Sequence, residues 1–117
     1  FGLGATWNDE YGTAEDPEEL TWLLSYSPYH HVAKGVAYPA VVFTVFEGDS
    51  RVDPLHARKL CAALQWATSL PFEDAPIILR REREVGHGSR SVTRSIALSV
   101  DTVAFHADRL GLALPSA

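Results

Sequence analysis

From Tyr38 onward the apolar residues stop being scattered and become continuous. AVVFTVF, at 40–46, is an unbroken β-branched and aromatic run. A strand with one wet face alternates apolar and polar positions, whereas an unbroken run predicts a strand covered on both faces, the usual state in a parallel sheet. Asp53 and Pro54 then provide a capping acid and a proline suited to a helix start. Ala57, Leu60, Cys61, Leu64 and Ala67 follow at helical spacing on one side, which predicts a helix packed on the sheet. After a turn at 71–74, PIILRRERE at 76–84 predicts a second strand, buried in its inner half and polar in its outer half. Ile96, Val100, Val103, Ala107 and Leu110 place one apolar face on a last helix, which Gly111 stops.

Upstream of the first strand the pattern is weaker but well punctuated. Asp16 can cap a helix, Pro17 suits its first position, and Glu19 stands three residues after the cap as a capping box requires. Leu20, Leu23 and Leu24 give that helix one apolar face. It lies between two turn-and-loop stretches, the opening through Gly12 and SPYHHVAKG at 27–35, and no repeat or low-complexity tract occurs. The order is therefore helix, strand, helix, strand, helix. The expected class is α/β, with parallel strands joined by right-handed crossovers and helices packed on both sides. Sites in such sheets lie at the carboxyl ends of the strands.

Composition narrows the partners. With 117 residues, 46% of them apolar and 21% charged, the chain is one globular unit or part of one. The net charge of -5 is spread out, and the ten basic residues form no stripe beyond Arg80, Arg81 and Arg83, which argues against nucleic acid. No stretch reaches the ~20 apolar residues that span a bilayer, so no membrane partner is expected. The expected location is cytoplasmic, with periplasmic or secreted forms left open. Cys61 is the single cysteine, so an internal disulfide is excluded. The chain has no Met and opens on FGLGATW, which reads like the interior of something longer.

Two residues suggest chemistry. Asp49 follows the first predicted strand by about three residues, and His87, within EVGHGS, follows the second by about as many. Neighbouring strands lie about 5 Å apart, so side-by-side pairing would bring these loops within hydrogen-bonding reach. An aspartate that accepts from one imidazole nitrogen fixes the tautomer and leaves the other nitrogen to take a proton from a hydroxyl. Gly86 and Gly88 give the histidine loop backbone freedom. The order acid then histidine is that of α/β-hydrolases. Plainer readings stand beside this one. Asp49 can be a turn residue, His87 can bond backbone, Arg51 can pair with Asp49 or Asp53 at the surface, and Trp7 and Tyr11 can be core. His30 and His31, with His56 or His106, make a poor metal set, because adjacent residues point apart and no further ligands complete a tetrahedron. Ser89 and Ser91 suit a helix cap, Cys61 the core, and the arginines of 80–83 a solvated strand edge.

Asp49-Ser50-Arg51-Val52, Pro54-Leu55-His56, Lys59 and Gly86-His87-Gly88, together with ATWNDEYG at 5–12 and YSPYHHV at 26–32, carry a resemblance. They resemble the carboxyl-terminal part of the catalytic domain in the prolyl oligopeptidase family of serine peptidases, over nearly the whole chain. The resemblance implies a partial α/β-hydrolase sheet, with Asp49 as triad acid and His87 as triad base. It implies that Arg51 binds a backbone carbonyl on the acyl side of the cut bond. It further implies that Trp7 stacks on the proline ring in a pocket also lined by Tyr11 and Val52. A flat indole suits a rigid pyrrolidine, and a guanidinium gives charge-assisted hydrogen bonds to a carbonyl.

The implied activity is cleavage of short peptides after proline, with no cofactor and no metal. The implied partners are a short proline-containing peptide and the remainder of the protein's own chain. Two departures are local: Asp49-Ser50 stands where the family usually has two acids, and Glu84-Val85 precedes Gly86-His87-Gly88 where it often has Lys-Ala. A third is larger, since no Gly-x-Ser-x-Gly occurs. The nucleophile elbow, much of the oxyanion hole and the β-propeller are expected upstream of Phe1, so residues 1–117 would be the carboxyl-terminal portion of the catalytic domain and inactive alone. Other α/β-hydrolases, such as an acylaminoacyl peptidase, an oligopeptidase B-like enzyme or an esterase, remain alternatives, as does a non-catalytic interaction domain. Trp7 favours proline among them.

Overall fold

The computed structural model describes residues 4–86 and 91–113, with the backbone alone for 84–86. A 3₁₀ turn at Gly4–Trp7 runs into the one-turn helix α1 (Asn8–Tyr11), followed by α2 (Pro17–Tyr26) and a second 3₁₀ turn at Pro28–His31. Strand β1 (Val41–Gly48), helix α3 (Leu55–Ala67), strand β2 (Ile77–Gly86) and helix α4 (Val92–Arg109) complete the chain. The expected helix, strand, helix, strand, helix order is present. The short helical turns inside both supposed loops are additional, because four residues carry too little periodicity to read.

Helix α2 begins where its cap predicts. Asp16 Oδ1 accepts from the amides of Glu18 at 2.8 Å and Glu19 at 3.1 Å, and Pro17 occupies the first turn. Glu19 does not close the capping box back onto Asp16. Its Oε2 instead accepts from the Thr13 amide at 2.7 Å and holds the preceding loop against the helix. Gly12 permits this approach: it has φ 88°, and a Cβ there would lie 3.1 Å from that of Glu19.

The two strands pair in parallel from Val41↔Ile77 to Phe46↔Glu82. An irregularity follows, across which β1 advances two residues while β2 advances four, and the ladder ends on Gly48↔Gly86. Side chains alternate across a sheet, so odd and even positions meet different helices. On the odd face Ile77 packs with Cys61 and Leu64 of α3, and Val41, Phe43 and Leu79 extend the cluster. Gln65 Nε2 donates to the Ile77 carbonyl at 2.8 Å. On the even face Arg80 reaches Asp101 of α4 at 2.6 Å. Helices thus lie on both sides of a parallel pair, as the pattern predicts.

Coverage is thinner than the pattern suggests. In β1 only Val45 is buried, the other apolar positions being half-buried. On α4 only Ala107 is buried, whereas Ile96, Val100, Val103 and Leu110 are exposed. The accessible surface is 8478 Å², against roughly 6,300 Å² for a free-standing domain of this mass. The radius of gyration is 17.2 Å, where a compact domain of this length would have about 13 Å. Two strands and their helices leave apolar faces open to solvent. The outer half of β2 also departs from a solvated edge. Glu82 is buried and pairs with Arg80, which joins it to Asp101.

Candidate active site at the carboxyl ends of the strands

The loop after β1 is shaped by its own acid. Asp49 Oδ1 accepts from the amides of Arg51 at 2.9 Å and Val52 at 3.0 Å, an Asx turn that wraps the backbone around the carboxylate. The Asp49 amide donates to the Phe46 carbonyl at 3.2 Å. One turn later Asp53 Oδ1 accepts from the Leu55 amide at 2.8 Å, so it caps α3 as its position before Pro54 predicts. Two successive side-chain caps leave little slack between strand and helix. Asp49 is thereby held half-buried while Arg51 and Val52 are exposed.

Asp49 and Val52 line a hollow of about 320 Å³ with Phe46, Asp53 and His56. Trp7 and Tyr11 line another, of about 380 Å³, with Gly12 and Leu23. Their rings lie 6.1 Å apart at 48°, a tilted aromatic pair with more than half of each side chain open to solvent. The Glu10 charge, and its hydrogen bond, push the Tyr11 phenol above its usual range. The structure therefore brings Asp49 together with Val52, and Trp7 together with Tyr11, around separate hollows. His87 lies outside the described residues. Its neighbour in sequence, Gly86, is the register partner of Gly48, the residue before Asp49.

The histidines weighed as metal ligands are used locally. His30 Nδ1 lies 2.8 Å from Ser27 Oγ, and His31 Nε2 donates to the Ser25 carbonyl at 2.8 Å. Among the described residues, no group of three or more His, Cys, Asp and Glu is placed to hold a metal ion, and no helix is long and apolar enough to cross a membrane. Ser91 Oγ accepts from the Arg94 amide at the start of α4, the capping role its position suggests. Ser89 lies outside the described residues.

Comparison with known proteins now decides the family. The model of the prolyl oligopeptidase family matches residues 2–113. The chain belongs to the prolyl oligopeptidase family of serine peptidases. It is 38% identical over 114 residues to a prolyl endopeptidase from Elizabethkingia meningoseptica, covering 96% of this chain and 16% of that protein. It is 34% identical over 113 residues to prolyl oligopeptidase A from Galerina marginata (strain CBS 339.88), covering 96% of this chain and 15% of that one. A solved prolyl endopeptidase, from a structural and mechanistic study of two such enzymes, superposes with a TM-score of 0.90 at 46% identity. That match covers 97% of this chain and 16% of the other. The chain thus spans about one sixth of the length of these prolyl oligopeptidase relatives. The two-stranded sheet with its helices matches part of a prolyl endopeptidase catalytic domain.

One feature of the site was not anticipated. Glu47, directly before the last paired residue of β1, bonds Arg81 across the sheet. The alternating signs of RRERE at 80–84 signal ion pairing, but only the register names the partner.

Proposed function

We propose that this chain supplies the acid and the base of a serine peptidase that cleaves short peptides after proline. In this reading Asp49 orients His87, and His87 takes the proton from a serine outside these residues. That serine attacks the carbonyl carbon of the proline residue, and His87 then delivers the proton to the leaving amine. The resulting acyl-enzyme is hydrolysed by water, activated by the same imidazole. Arg51 binds a substrate carbonyl, and Trp7 with Tyr11 receives the proline ring, while Val52 lines the separate hollow beside Asp49. No step calls for a metal or cofactor.

The observation that carries the proposal is the register Gly48↔Gly86, which sets the two residues that precede Asp49 and His87 side by side at the same end of a parallel pair. The Asx turn supports it by giving the Asp49 carboxylate one orientation. Family membership supports it independently. We further propose that residues 1–117 are the carboxyl-terminal portion of a larger catalytic domain and inactive alone. The surface and radius of gyration, both larger than a self-contained domain would have, support this. The test uses the full-length protein and a chromogenic dipeptide with proline before the cleaved bond. Hydrolysis should be lost in His87→Ala, and an unchanged rate in that variant would overturn the assignment.

A further inference from the structure

The register irregularity ends at Gly48 and Gly86, the residues that precede Asp49 and His87 in sequence. Two residues of β1 are there opposed by four of β2, so the regular ladder does not dictate how the strand ends align. Something else must hold them. On the odd face the last regular pair but one is Val45↔Arg81, and Glu47 lies one step further along β1 on the same face. Arg81 Nε donates to Glu47 Oε1 at 2.8 Å, and Arg81 Nη2 bonds the same oxygen. Arg58 of α3 lies 3.9 Å from that oxygen, so the strand end is also tied to the helix that leaves the Asp49 loop. The hydrogen bond from Arg81 holds the Glu47 carboxyl below its ordinary range, so it is ionised at neutral pH.

We propose that Glu47 and Arg81 form a positioning pair that sets the alignment of the two strand ends leading to Asp49 and His87 across this irregularity. The inference rests on the functional reading given above. The pair touches neither substrate nor reacting atoms. It acts by keeping the Asp49 loop and the end of β2 in one relative placement, so its loss should slow the chemical step and leave substrate binding intact. An ion pair with both side chains partly open to solvent adds little to global stability, which separates this role from a general structural one.

The experiment compares Glu47→Gln, Arg81→Met, Arg81→Lys and the double variant Glu47→Gln/Arg81→Met in the full-length protein, with Asp49→Asn alongside. Glu47→Gln and Arg81→Met should each lower kcat about tenfold, the scale of a sub-ångström misplacement, with KM within about twofold. The double variant should fall no further than Glu47→Gln, which already removes the Arg81 contact together with that of Arg58. Arg81→Lys should recover most of kcat, and melting temperatures should stay within a few degrees.

Wild-type kcat in Glu47→Gln, with Asp49→Asn inactive, would overturn the positioning role and leave the peptidase reading standing. Additive losses in the double variant, or Arg81→Lys as slow as Arg81→Met, would overturn it as well. An active Asp49→Asn would overturn the peptidase reading and this inference with it. Should Glu47→Gln fail to fold, the contrast between Arg81→Met and Arg81→Lys carries the same test.

Discussion

Gly48 of β1 and Gly86 of β2 are register partners at the end of a parallel ladder. Each is followed in sequence by a residue with acid–base chemistry, Asp49 and His87.

Asp49→Asn separates the turn that this side chain holds from the catalytic role proposed for it. Asparagine keeps an oxygen that can accept from the Arg51 and Val52 amides, so the turn and the fold should persist. A neutral amide cannot hold the same histidine tautomer or stabilise imidazolium. The expected result is a fall in kcat of about 10³–10⁴-fold with an unchanged circular dichroism spectrum. A loss of folding instead would make Asp49 primarily a turn residue.

Trp7→Ala tests the proposed role of the indole in receiving proline. Trp7 lies tilted against Tyr11 and is about half exposed, so its removal creates no cavity in a packed core. In the full-length protein kcat/KM for a proline substrate should fall about tenfold, equivalent to ~1.4 kcal/mol, mostly through KM. The alanine analogue should lose much less. Equal losses for the two substrates would make the indole structural.

Packing predicts where stability resides. Leu64 sits in the cluster with Cys61 and Ile77 between α3 and β2. Leu64→Ala should lower the unfolding free energy by about 2–4 kcal/mol, measured by denaturant titration. Asp16→Ala, which removes the acceptor of two amides at the start of α2, should cost only about 1 kcal/mol. If the cap variant proved the more damaging, the core would not be where the contacts place it.

Glu47 makes one small contribution to the pH dependence of stability. Its folded pKa is depressed by the Arg81 hydrogen bond, so its contribution is present above the unfolded value, which is about 4.5. That contribution disappears as pH falls through the lower folded value. The Glu47→Gln variant should therefore show a flatter stability profile below pH ~4.5 than the parent. Identical profiles would mean that the contact contributes nothing in solution.

Burial pushes the Cys61 thiol above its ordinary range. In the native protein, alkylation by iodoacetamide at pH ~8 should be far slower than for an exposed cysteine, and should become fast on unfolding. Rapid native-state labelling would place Cys61 at the surface.

Local chemistry made much of the fold legible. The cap at Asp16, the proline at 17, the stripe ending at Ala67 and the run at 40–46 each state a backbone preference that needs no distant partner, and each stands where it was read. Glu19 has the spacing of a capping box but serves Thr13 instead, because the choice between Asp16 and Thr13 depends on how the loop at Gly12 folds back. The stripe from Ile96 to Leu110 shows the same limit. Periodicity identifies a face that prefers burial, and only packing decides whether anything covers it.

By itself, then, the sequence determined the element order, the parallel arrangement, the family and the candidate residues, because these follow from side-chain period, cap chemistry and short motifs. The tertiary structure alone decided that Gly48 meets Gly86, that Arg80 lies against buried Glu82, and that Glu47 finds Arg81 across the irregular end of the ladder. The reason is physical. Alternation fixes which face a strand residue takes, while alignment across a bulge depends on contacts between residues more than thirty positions apart, and no local preference encodes that distance.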